Sequence, residues 1–96
     1  MEGIKYMKYV LKLYISGESE RAKTAKEEAH ALSNYYYNGG YEIELEIVDV
    51  LKNKDAIKND AVFILPTLER VFPLPRRRVV GQFSDVQKVF SYLCIA

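Results

Sequence analysis

Apolar and polar positions change period along this chain, and the changes mark out its elements. Residues 8–15 set Tyr9, Leu11, Leu13 and Ile15 against Lys8, Val10, Lys12 and Tyr14. Both sets are largely apolar apart from the lysines, which predicts a strand inside a sheet. Ser16-Gly17 ends it. Ser19 suits an N-cap, and Ala22, Ala25, Ala29, Leu32 and Tyr36 follow at helical spacing. Asn38-Gly39-Gly40 supplies a left-handed stop just after Tyr37. Tyr41, Ile43, Leu45 and Ile47 then alternate with Glu42, Glu44 and Glu46, the pattern of a strand buried on one face.

Two strands joined by a long helical crossover demand a parallel, right-handed βαβ unit. Residues 54–61 are polar and weakly helical, and the apolar run Ala61-Val62-Phe63-Ile64-Leu65 stops at Pro66. Thr67 to Phe72 and Arg76 to Gly81 predict two strands joined through Pro73-Leu74-Pro75 as a hairpin. Ser84-Asp85 caps a last helix over 84–93, with Val86, Val89, Phe90 and Leu93 on one face. The order βαβαββα predicts an α/β fold of thioredoxin-like type: a four-stranded mixed sheet flanked by helices, in one domain over residues 1–96. Pro66 falls where such folds place a cis-proline before the third strand, a structural turn.

Composition narrows the function classes. A formal net charge of +1 argues against a general polyanion binder, so no nucleic-acid partner is expected. No apolar stretch approaches the ~20 residues that cross a bilayer, and Met1 to Lys8 has no apolar signal region. No membrane association and a cytoplasmic location are therefore expected. The charge is unevenly placed, with acid at Glu42, Glu44 and Glu46 and a basic run at Arg76, Arg77 and Arg78. Such a dipolar surface favours oriented docking to a protein.

Catalytic chemistry is not expected. Redox members of a thioredoxin-like fold carry two cysteines where the first strand meets the first helix, because the helix N-terminus lowers a thiol pKa. Here that segment reads Ser16-Gly17-Glu18-Ser19-Glu20-Arg21-Ala22. The single Cys94 reads as a buried or half-buried helix residue, and His30 as a solvated one with no second His to share a metal. No catalytic, cofactor or metal residues are assigned. Alternation puts Arg76 and Arg78 on one face and Arg77 on the other. Their placement fits protection of an edge strand as well as a patch for an acidic partner. Tyr36 belongs to the core stripe, leaving Tyr35 and Tyr37 partly exposed.

Four segments taken together resemble the KaiB family of clock proteins. They are Tyr-Val-Leu-Lys-Leu-Tyr at 9–14, Asp-Val-Leu-Lys-Asn at 49–53, Pro-Thr-Leu at 66–68, and Pro75 through Gly81. The resemblance implies a non-catalytic adaptor that binds a KaiC-like P-loop ATPase, with KaiA-like or histidine-kinase proteins as further partners; the alternatives are a thioredoxin-like enzyme or thiol-binding protein lacking the CxxC motif, and a free-standing KaiB-like sensor domain. It also implies a possible homo-oligomer, a structural cis-bond at Pro66, and partner contacts from Lys52, Arg70, Arg76, Arg77 and Arg78. Family members also adopt a ground-state fold with a rearranged C-terminal half. Where the family often has Gly and Asp in the last helix, this chain has Tyr92 and Cys94. Both changes favour that helix, so the thioredoxin-like form is expected.

Overall fold

Helix and strand alternate in the order read from the periodicity, and the sheet forms around the most apolar strand. The computed structural model describes residues 8–60 and 64–95. Strand β1 (Lys8–Ile15) leads through helix α1 (Glu20–Asn38) to β2 (Glu42–Asp49). The short α2 (Asp55–Asp60), the hairpin of β3 (Thr67–Phe72) and β4 (Arg77–Val80), and α3 (Val86–Tyr92) complete the order. The strands lie as β2-β1-β3-β4. β2 runs parallel to β1, from Lys8 opposite Glu42 to Ile15 opposite Asp49. β3 is antiparallel to β1 and to β4, so β4 points the same way as β1 and β2. Most of the run at 61–65 lies outside the described residues.

One sheet face carries the main core. Tyr9, Leu11, Leu13 and Ile15 of β1 are buried there with Ala22, Ala25, Ala29, Leu32 and Tyr36 of α1. Small side chains at three of those helix positions let α1 lie close against the strands. Ser19 caps the helix, its Oγ accepting the Ala22 N–H at 3.1 Å. At the other end Gly40, with φ +97°, takes the left-handed turn that a side chain would resist. The Tyr36 hydroxyl donates to the Val86 carbonyl at 3.1 Å, joining α1 to the start of α3. Burial pushes that phenol well above its ordinary range, so it stays a neutral donor. Its ring meets Phe90 edge-on at 5.3 Å, an arrangement worth ~1 kcal/mol beyond burial.

Among the described residues, the opposite face is covered at one end. There Tyr14, Val48, Val50 and Ala56 form a second small cluster under α2, with Ile57 and Leu65 packed against it.

One expectation for the last helix needs correction. Cys94 is exposed and lies beyond the helix, with φ 54°. α3 ends at Tyr92, and the turn that follows drives Leu93 and Ile95 into the core, which points the residue between them outward. Tyr92 closes the helix with its ring 53% exposed and the Lys88 ammonium 5.8 Å from its centroid. β4 and α3 are also each shorter than their sequence patterns suggest.

Candidate functional site

Lys52 sits where the parallel strands end. Past β1 and β2 the chain makes two turns, and the Asp49 carboxylate closes both. Its Oδ1 accepts the N–H of Gly17 at 3.0 Å and that of Leu51 at 3.0 Å. These bonds, the Gly17 one foremost, hold the carboxyl below the usual range. Gly17 has φ +65°, the left-handed region that favours glycine at this turn. Lys52 stands exposed above this closure. Beside it lies a shallow cleft of about 370 Å³ whose walls include Glu18, Lys26, Glu46 and Asn53. Open clefts at the carboxyl ends of parallel strands are the usual place for recognition in α/β sheets.

Pro66 borders a neighbouring groove. The Leu65–Pro66 bond is cis, and the Thr67 hydroxyl donates to the Ile64 carbonyl just before β3. A groove of about 110 Å³ runs between Pro66, Ser16, Ser19 and Arg21. Its lining offers hydroxyls and a guanidinium where redox relatives of this fold would present a thiol pair.

The arginines divide into separate environments. Arg70 does not belong to a surface patch: it is 5% exposed. Its Nη1 donates to the Cys94 carbonyl at 2.9 Å and its Nη2 to the Pro75 carbonyl at 2.7 Å. The guanidinium thus ties the chain after α3 to the hairpin turn, and a fork of donors suits two carbonyls in one plane. This is a structural clamp, and it corrects the expectation that Arg70 is offered to a partner.

Arg76 and Arg78 share the face predicted for them, and what they meet there is a carboxylate. Glu69 is fully buried and lies opposite Arg78 in the hairpin. Its Oε2 is 3.2 Å from Arg78 Nε and 3.8 Å from Arg76 Nη1, while its Oε1 accepts the Tyr14 hydroxyl at 3.2 Å. Both arginines remain partly exposed outside this pairing. Arg77 is exposed on the other face, opposite Arg70 in register. Hairpin register counted outward from the Pro73 turn would have found the Glu69–Arg78 pair in the sequence. Nothing local marked the carboxylate of Asp49 as the closure of two turns.

The five residues expected to contact a partner therefore form no single patch. Lys52 follows the end of β2, and Arg76 to Arg78 begin at the start of β4, on the opposite edge. Since β2 and β4 point the same way, these are diagonal corners of the sheet. Among the described residues no group of His, Cys, Asp and Glu side chains could hold a metal ion, and no helix is long and apolar enough to cross a membrane.

Comparison with known proteins assigns the family. The KaiB domain model matches residues 12–95. The circadian clock oscillator protein KaiB of Synechococcus elongatus is 37% identical over 81 residues, which cover 84% of this chain and 78% of that protein. The KaiB of Gloeothece citriformis is 36% identical over the same length, covering 74% of that protein. Among solved structures, the N-terminal domain of Synechococcus elongatus SasA superposes with a TM-score of 0.69 at 13% identity, covering 100% of this chain and 92% of that one. Chloroplastic thioredoxin z gives 0.67 at 13% identity, covering 100% of both chains, so the fold is thioredoxin-like. With the motifs, the fold and the family model agreeing over nearly its whole length, the chain belongs to the KaiB family.

Proposed function

We propose that this protein is a non-catalytic, cytoplasmic clock regulator that docks on a KaiC-like P-loop ATPase and modulates its phosphorylation and ATPase cycle. The observation that carries the reading is the KaiB domain match over residues 12–95. A thioredoxin-like frame whose Pro66 groove lacks the thiol pair of redox members supports it. The surface around Lys52, with its cleft of mixed charge and its rigid Asp49 closure, is the part best suited to protein contact. Preformed turns lose little entropy on docking. Arg77 offers a second, separate contact at the far corner of the sheet.

Size-exclusion chromatography of the chain mixed with a KaiC-like ATPase, in ADP and in a non-hydrolysable ATP analogue, tests the proposal. Co-elution that depends on the nucleotide, weakened at least tenfold by Lys52→Glu, is expected. A fully folded chain that fails to bind in either nucleotide would overturn the reading. KaiA-like and histidine-kinase proteins serve as further arms of the same experiment.

A further inference from the structure

A groove of about 260 Å³ runs along the outer edge of β4, between that strand and α3. Val79 and Val89 form its floor, the exposed Val80 its rim, and Lys88 and Tyr92 its α3 side. The Lys88 ammonium stands over the exposed Tyr92 ring. Arg77 is exposed and shares the face of Val79, roughly 7 Å away along the strand. The end of α3 reaches the same place, because the Cys94 carbonyl is tied to Arg70, which lies opposite Arg77. Among the described lining residues the acid is Asp85, and its Oδ1 accepts the Lys88 N–H at 3.1 Å as the cap of α3. The groove thus presents an apolar floor with a lysine beside it and an arginine at its end.

The strand edge adds main-chain groups. The Gly81 N–H donates to the Pro66 carbonyl at 3.1 Å. Hydrogen-bonded and non-hydrogen-bonded pairs alternate along an antiparallel ladder, so Val79 also turns its N–H and C=O inward to β3, and Val80 turns its own outward. Among the described residues β4 pairs with β3 alone. An outward N–H and C=O beside an apolar groove is the arrangement that an extended peptide completes by adding a strand.

We propose that this groove binds an extended, acidic segment of a partner protein. The segment's main chain exchanges a pair of hydrogen bonds with Val80, an aliphatic side chain rests on Val79, Val89 and the Tyr92 ring, and carboxylates meet Lys88 and Arg77. Charge selects the partner, since a basic segment would face both cations and be repelled. A helix fits less well: its backbone groups are already paired, so it would displace water from Val80 without replacing the lost hydrogen bonds. Affinity is modest, because β4 offers only 4 residues. The site lies diagonally across the sheet from Lys52 and stands independently of the docking proposed there.

Nuclear magnetic resonance titration of the isotope-labelled chain with a short peptide of alternating aspartate and valine tests the proposal, because it reads weak binding residue by residue. The amides of Val80, Gln82, Lys88 and Tyr92 should shift together and saturate, and the same peptide with lysine for aspartate should move none of them. Lys88→Glu and Arg77→Glu should each weaken binding about tenfold. Both positions are exposed, so circular dichroism should remain native. Methylating the peptide nitrogens of the aspartates alone, or of the valines alone, removes the donors along one edge, so one of these two peptides should lose binding and the other keep it. A peptide that shifts no groove amide at millimolar concentration, a lysine peptide that binds as well, variants that bind as the parent does, or equal binding by both methylated peptides would each overturn the inference. So would displacement of the peptide by an equal concentration of oligothymidine, since the groove would then recognise charge alone.

Discussion

Replacing Arg70 with Met tests whether this buried guanidinium is a clamp. Methionine keeps most of the apolar stem and removes only the charged fork. The side chain is 5% exposed and donates to the Cys94 carbonyl at 2.9 Å and the Pro75 carbonyl at 2.7 Å. Hydrogen bonds from a charged donor contribute ~1.5–3 kcal/mol each. Both acceptors belong to exposed residues, so water can reach them once the donor has gone, which lowers the penalty. Removing a buried charge also relieves its desolvation. The net expectation is a loss of about 2 kcal/mol. For a chain of this size that corresponds to a fall of about 8–16 °C in Tm. Urea unfolding gives the global figure, and hydrogen exchange locates it. The amides of Val89 and Leu93, whose carbonyl acceptors lie within the α3 region, should lose protection more than those of β1. A loss below ~0.5 kcal/mol, the scale of an ordinary surface change, would refute the clamp and return Arg70 to the surface reading.

Other outcomes follow from the same contacts. Glu69→Gln keeps an acceptor for Tyr14 but removes the negative charge that Arg76 and Arg78 meet at Glu69; because both arginines are partly exposed, the cost should be about 1–3 kcal/mol by urea unfolding. The lowered Asp49 pKa contributes stability that is fully present above the unfolded carboxylate value of about 3.9 and lost as pH falls through the folded value. The parent's advantage over Asp49→Ala should therefore be constant at neutral pH and shrink in acid, as read from unfolding midpoints. Leu32→Ala empties a fully buried site between α1 and the sheet and should cost about 2–5 kcal/mol. Cys94, exposed past the end of α3, should react fully with a thiol reagent in the folded protein, and insulin reduction should not exceed that of Cys94→Ser.

Much of the fold was legible before any coordinates. Element order, the Ser19 cap, the buried stripe Ala22-Ala25-Ala29-Leu32-Tyr36 and the half-buried face of β2 are local properties: each follows from side-chain period or from a hydrogen bond within a few residues. The lack of a thiol pair beside Pro66 and the family motifs were equally visible, since both are questions of residue identity.

Tertiary structure decided the fate of the charges. Arg70 and Arg77 are both arginines on adjacent strands of one hairpin, yet one is buried against two carbonyls and the other faces solvent. The difference arises because the chain after α3 returns over Arg70, and no local pattern encodes where a distant segment will land. Cys94 turned outward for a related reason: Leu93 and Ile95 both reached the core, so the backbone turned left-handed between them. Glu69 met Tyr14, Arg76 and Arg78 only when β1, β3 and β4 came into register. A sequence specifies period and identity directly, whereas burial of a charge depends on which partners the fold brings within a few ångströms.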